Sequence, residues 1–397
     1  MHNMTSAQAE QHLTDLADQF AQWRQQRTYG HALEEQVVQP SSLRALGGRP
    51  NAGVQTSRKV QKAGQCTAEG KGFLFSCTFT EQEANMRAVG IMVHGGPEAL
   101  EVVALPEVHA GPGHVRVRIH AAAVNPTDTM ARNGSRAEQQ KVDPPPYVPG
   151  MDAAGIVDEV GAGVTTGVKV GDAVMAMVVP KGSHGAYREQ IVLQARAVVP
   201  APAGTTHVQA CTLPMNGLTA RQSLDLLGLS PGQTLAVTGA AGAYGGYVVQ
   251  LAKAEGLTVI ADASEADQAL VKALGADIVV RRGDDVATRM LEHCPHGVDG
   301  LADGAVLNDK VISAVRDGGA FTSVRGFIGA TQRGIRFTAT SVRTYDGEFE
   351  KLDRLRQLVE SGAVTLRVAA TYPPERAAAA HRRLEAGGTR GRLVITF

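Results

Sequence analysis

Cysteine is scarce. The 397 residues include four, Cys66, Cys77, Cys211 and Cys294, and no two form a Cys-x-x-Cys pair. Neither a disulfide framework nor a zinc knuckle is indicated, and free thiols predict a reducing, cytoplasmic setting. Excess charge is also missing, because 39 basic residues cancel 39 acidic ones. No charge excess therefore argues for nucleic acid or an anionic membrane surface as a partner. No apolar run is long enough to span a bilayer. The first residues lack the basic stretch and apolar core of a signal peptide. The histidines show no metal-ligand spacing.

What is present divides into three textures, in a chain long enough for two sizeable cores. In residues 1–85, Leu13, Leu16, Phe20 and Trp23 recur at helical spacing. The pattern then dissolves into Gln, Ser, Arg and Gly before Phe73, Phe75, Cys77 and Phe79 alternate as in a strand. This stretch reads as an N-terminal extension, partly helical or disordered. From Met86, short strands separated by Gly-rich turns predict a β-barrel-like domain, with Val115–Ala122, Ala154–Gly161 and Asp172–Val179 among them. From about Thr206 strands alternate with helices: Gln233–Gly239, Tyr244–Ala254, Leu257–Ala261, Glu265–Leu274, Asp277–Val280, Gly300–Ala302 and Ala320–Val324. That rhythm implies a parallel sheet with right-handed crossovers. Glu348–Ser361 reads as one more helix and Gly391–Phe397 as a strand returning to the barrel.

The turn Gly239-Ala-Ala-Gly-Ala-Tyr-Gly245 carries the most information. It joins a buried strand to a helix and matches G-x-G-x-x-G with Ala240 in place of the first Gly. Such a turn brings backbone N–H groups close to a diphosphate at the positive end of a helix dipole. Gly239, Ala241, Gly242, Ala243, Tyr244 and Gly245 are therefore candidate dinucleotide contacts. Asp262, about 20 residues on, stands where an acid that binds ribose hydroxyls is expected, which favours NADH. Ser264 follows it and either joins that site or caps the next helix. Arg282, after the third strand, could pair with a 2′-phosphate, which favours NADPH. The coenzyme stays open between the two.

Met86 to Phe397 resembles the medium-chain dehydrogenase/reductase superfamily, in its zinc-free quinone oxidoreductase (zeta-crystallin-like) branch. The resemblance rests on Val124-Asn-Pro-Thr-Asp128, Pro149-Gly-Met-Asp-Ala-Ala-Gly155, Val170-Gly-Asp-Ala-Val174, Asn216-Gly-Leu-Thr-Ala220 and the glycine turn. It implies an α/β fold in which a GroES-like β-barrel domain is interrupted by a Rossmann doubly wound parallel-sheet domain. The expected limits are 86–208 and 341–397 for the barrel and 209–340 for the Rossmann part. Zinc members carry Cys where Asn125 stands and Gly-His-Glu where Gly150-Met151-Asp152 stands. The resemblance thus implies no metal, a small quinone or α,β-unsaturated carbonyl substrate, and a homodimer. It puts Asn125 and Asp128 beside the nicotinamide, Asn125 donating to the substrate oxygen and Asp128 orienting it. Tyr147, on a proline-rich loop, is expected over the substrate, its phenol either donating a proton or stacking on a quinone ring. Thr219 and Gly326 are expected near the cofactor. Two other readings stand beside this one. An enoyl-thioester reductase would need a basic rim, for which Arg132 and Arg136 are the hints. The other is a cofactor-binding protein with little turnover.

Overall fold

Successive residues of the central strands point to opposite sides of the sheet, and both sides are buried. Leu235 and Val237 enter one core with Val259 and Ala261, while Ala236 and Ile260 enter another. A strand covered on both faces must be apolar throughout, which is why these segments read as continuous apolar runs. The computed structural model describes residues 85–140 and 143–397. The helical spacing at Leu13–Trp23 and the alternation at Phe73–Phe79 lie outside the described residues.

Strands β1 (Asn85–Ile91) and β2 (Leu100–Pro106) form an antiparallel ribbon. Strands β3 (His114–Ala123), β4 (Asp152–Val160), β5 (Ala173–Met177), β6 (Gln190–Gln194) and β7 (Val198–Pro200) follow. Next come β8 (Thr234–Thr238), β9 (Thr258–Ala263), β10 (Ile278–Arg281), β11 (Val298–Asp303), β12 (Val315–Ser323) and β13 (Arg336–Ala339). The chain closes with β14 (Val368–Tyr372) and β15 (Arg392–Thr396). One sheet runs β14-β15-β3-β4-β5-β7, with β6 also on β3. β15 lies antiparallel to β3, so the last strand does return to the first sheet.

The second sheet is parallel in the order β10-β9-β8-β11-β12-β13. The order reverses between β8 and β11, and a crevice opens at the carboxyl ends of strands at such a switch point. The helix Pro214–Leu227 is buried between the two sheets. Its Leu218 and Leu224 share a core with Met175 and Val199 of one sheet and Val237 of the other. Two elements differ from the sequence reading. Glu265–Leu274 is broken into a 3-10 turn, Glu265–Asp267, and a short helix, Gln268–Ala273. β12 starts five residues before Ala320, at Val315. Neither β13 nor β14 has enough alternation to be read from its own residues.

Candidate active site

A cleft of about 510 Å³ opens at the switch point. Gly239, Gly242, Ala243, Tyr244 and Gly245 after β8 line one wall, and Gly304 and Val306 after β11 continue it. Pro126, Thr127, Met130 and Met151 face them from the barrel side. The turn after β8 takes its form from two glycines. Gly239 has φ +68°, and a Cβ there would meet the Gly304 backbone at 3.0 Å. A Cβ on Gly245 would run into the Gly239 carbonyl. Gly242 is the N-cap of the helix Ala243–Ala254, and no side chain caps that end. The first-turn N–H groups are thus available to an anion.

Arg367, which the sequence reading missed, holds the back of this turn. It donates to the carbonyls of Ala241 (3.0 Å) and Gly242 (2.7 Å). It lies 126 and 125 positions from the residues it holds, and no local sequence signal connects them. Ala241 itself is buried behind the cleft wall. Thr219 and Gly326 do line the cleft. The Thr219 hydroxyl is spent on the Met215 carbonyl (2.6 Å), the usual fate of a helix-interior threonine. Tyr244 lines the cleft with its ring, while its hydroxyl is 2.7 Å from Ser223 Oγ, and burial raises its pKa.

Asp262 corrects the ribose expectation. Its carboxylate is fully buried and turned under the glycine turn. It accepts from the N–H groups of Gly239 (2.6 Å) and Ala240 (3.3 Å), and from Arg282 Nε (2.8 Å). The acid expected to favour NADH and the arginine expected to favour NADPH are therefore each other's partners. Ser264 donates to Asp267, and Asp267 pairs with Arg390. None of Asp262, Ser264 and Arg282 lines the cleft.

Asn125 and Asp128 belong to a buried polar cluster behind the other wall. Asn125 precedes the helix Pro126–Arg132, and its N–H donates to Asp128 Oδ2 at 2.8 Å, so Asp128 in the first turn ties back onto the residue before the helix. The Asn125 amide, expected to serve a substrate oxygen, instead donates to Asp152 (2.7 Å) and the Ala123 carbonyl (3.3 Å). Asp128 also accepts from Gly150 N–H (3.1 Å) and Tyr187 Oη (3.1 Å). Burial pushes both Asp128 and Asp152 up to about 6, against the pull of the Arg392 charge. Arg392, also missed from sequence, donates to Asn125 Oδ1 and reaches the cleft wall. Tyr147 departs from expectation too. Its backbone pairs with Ile91 and its ring stacks on His94, outside the cleft lining.

A chain of hydrogen bonds runs from this cluster to the surface. Arg132, paired with Glu385 at 2.6 Å, donates to His381 Nδ1 (3.3 Å). An arginine only donates, so Nδ1 accepts and Nε2 carries the proton toward Tyr187 Oη (3.3 Å), which donates to Asp128. Burial first, then the Arg132 charge, lowers His381 from 6.5 to about 3. The neutral ring thus contributes stability that is full above about pH 6.5 and lost as pH falls toward 3. His381→Gln should flatten this acid limb. In urea unfolding the variant should be weaker than wild type near pH 7 and close the gap by about pH 4. A gap that stays constant would mean that His381 does not titrate in this window.

Zinc does not suit the position. A catalytic zinc takes three ligands of the His, Cys or carboxylate type. Here Asn125 offers an amide committed to Asp152, and Met151 offers a thioether. Among the described residues no group of three His, Cys, Asp or Glu is placed to hold a metal ion.

Family models describe two parts of the chain. Residues 111–203 match the alcohol dehydrogenase GroES-like domain and residues 274–395 match zinc-binding dehydrogenase. The quinone oxidoreductase of Pseudomonas aeruginosa is 31% identical over 335 residues, covering 78% of this chain and 99% of that protein. The NADPH-dependent alkenal/one oxidoreductase of Arabidopsis thaliana chloroplasts is 31% identical over 314 residues, covering 76% of this chain and 77% of that protein. The solved quinone oxidoreductase of Coxiella burnetii superposes with a TM-score of 0.70 at 28% identity, covering 79% of this chain and all (100%) of that one. With its barrel sheet joined to a doubly wound parallel sheet around one cleft, the chain belongs to the medium-chain dehydrogenase/reductase superfamily, among its quinone oxidoreductase-like oxidoreductases.

Proposed function

We propose that this chain is an NAD(P)H-dependent, zinc-independent reductase of quinones or α,β-unsaturated carbonyl compounds. The observation that carries the reading is the uncapped helix N-terminus opening into the switch-point cleft, opposite a wall to which Arg392 brings a guanidinium. The N–H groups of the turn at Gly242–Tyr244 would hold the diphosphate, with Arg367 fixing the turn from behind. A reduced nicotinamide bound there supplies a hydride to the electron-poor carbon of the acceptor.

The remaining work falls to the protein. Negative charge moves onto the conjugated oxygen as that bond forms, and a proton then comes from water. The Arg392 guanidinium provides fixed positive charge at the wall, and preorganised charge is worth most in a site from which water is excluded. Met130, Met151 and Met215 make this part of the cleft lining apolar. Asn125 and Asp128 act as positioning residues, Asn125 on Arg392 and Asp128 on the Asn125 backbone and Gly150. The expected limits of 86–208, 209–340 and 341–397 remain part of the proposal. So do a cytoplasmic setting and a homodimer, for which the outer edge of β13 offers unpaired strand groups. Among the described residues no helix is long and apolar enough to cross a membrane.

The test is steady-state oxidation of NADPH and NADH with a panel of quinones, enones and enoyl thioesters. Turnover with quinones or enones is expected. Binding of either coenzyme without turnover of any acceptor would favour a non-catalytic protein and overturn the reading.

A further inference from the structure

Three arginines that line the cleft have no task in the reaction so far: Arg136, Arg325 and Arg343. They come from three distant loops. Arg136 follows the turn after the helix Pro126–Arg132, where Asn133 Oδ1 accepts from the N–H (2.9 Å) and Oγ (2.7 Å) of Ser135. Arg325 follows β12 and directs Nη1 at Met130 Sδ, 3.8 Å away. Arg343 sits in the 3-10 turn Val342–Tyr345, which Gln222 clamps. Gln222 accepts from Ser341 N–H (2.7 Å) and donates to the Ser341 carbonyl (3.2 Å) and Thr344 Oγ1 (2.7 Å).

Other arginines near the site are neutralised: Arg132 by Glu385, Arg282 by Asp262 and Arg390 by Asp267. Among the described residues, none of the three cleft arginines makes an ion pair. Burial and then the charge of Arg136 hold Arg343 below its ordinary value, so the two guanidinium groups feel each other. Unpaired like charges facing one cavity repel, and an anion between them would relieve that repulsion through charge-assisted, bidentate hydrogen bonds.

Position in the cleft indicates which anion. The diphosphate has its own place at the helix N-terminus. Ser264 and Arg282, after β9 and β10, lie outside the cleft. Arg325, from the loop after β12, reaches across the cleft to Met130 on the barrel side, and Arg136, just beyond the helix that carries Met130, lines the same cleft. We infer that the cleft takes a conjugated acceptor bearing its own negative charge, a carboxylate or a phosphate, and that Arg136, Arg325 and Arg343 bind that charge. The inference rests on the reductase reading and adds its substrate class. It also corrects the basic rim expected for a thioester substrate: Arg132 is buried against Glu385, and only Arg136 of that pair reaches the cleft.

The test compares trans-benzoylacrylate with its methyl ester, using the full chain and both coenzymes. The ratio of kcat/KM, acid over ester, should exceed about tenfold and should fall about fivefold or more in Arg136→Leu and in Arg343→Leu, with Arg343→Lys retaining most of it. Crotonyl-CoA against crotonyl-pantetheine gives the phosphate arm, and a preference confined to that arm assigns phosphate over carboxylate. Equal use of charged and neutral acceptors in both arms overturns the inference. So does a loss of NADPH affinity relative to NADH in Arg343→Leu with the acid/ester ratio unchanged, because the arginines would then serve the coenzyme. Calorimetry with benzoylpropionate, which cannot be reduced at a double bond, and its methyl ester separates the two proposals. Charge-selective binding, lost in the leucine variants, in a protein that reduces nothing would sink the reductase reading alone. Turnover without charge selectivity would sink the inference alone.

Discussion

Replacing Asp262 with serine should weaken NADH and NADPH together, by about 10–100-fold, without switching the preference between them. The reason is where the carboxylate points. It accepts from two consecutive N–H groups of the turn, at Gly239 and Ala240, and carries the charge that neutralises Arg282. A serine is too short to reach both donors. The two N–H groups would be left buried and unpaired, at roughly 1–3 kcal/mol each. The turn would relax, and the first-turn N–H groups of the next helix would lose their aim. Asp262→Asn, which keeps an acceptor but not the charge, should fall between wild type and the serine variant. Parallel titrations with the two coenzymes, read by calorimetry, would check this. A selective gain for NADPH would show that the carboxylate faces the ribose after all.

The same residue marks the limit of what the sequence reveals. Spacing correctly puts an acid at the end of β9, because strand, turn and helix are local patterns. It does not reveal that Gly239 N–H lies beside that acid, since the contact depends on how β8 and β9 align. Alternation and glycine placement are enough to read most of the strands and the glycine turn. The rest needed contacts between distant segments. Tyr147 follows prolines, which points to a stiff loop over substrate, yet it pairs with Ile91, far earlier in the chain. Arg136, Arg325 and Arg343 meet at one cleft only because three loops from separate parts of the fold converge there. Arg367 and Arg392 sit in the last segments of the chain, where nothing nearby in sequence connects them to a turn or a strand end more than 100 residues away.

Arg392→Met should destabilise the protein by about 3–5 kcal/mol at neutral to alkaline pH, and by much less in acid. Asp128 and Asp152 are fully buried, and the Arg392 charge opposes the upward pull of burial on both. Both carboxyls already stand near 6, above the 3.8 of an exposed aspartate. A raised folded-state value means a contribution to stability that is full below about pH 3.8 and lost as pH rises through about 6. Without the guanidinium both carboxyls should rise further, so the penalty grows with pH and fades where they are protonated. His381 titrates in the opposite sense but is present in both proteins, so it cancels in the comparison. Urea unfolding at about pH 5 and pH 8 separates this from a packing effect. A loss equal at both pH values would mean that Arg392 matters for shape and not for charge. Adding Asp152→Asn removes one of the stranded carboxylates and should recover part of the loss at pH 8. Arg392→Lys should keep most of the stability, since it retains the charge. It should still lower turnover, because a lysine cannot hold Asn125 and also present a guanidinium edge to the cleft.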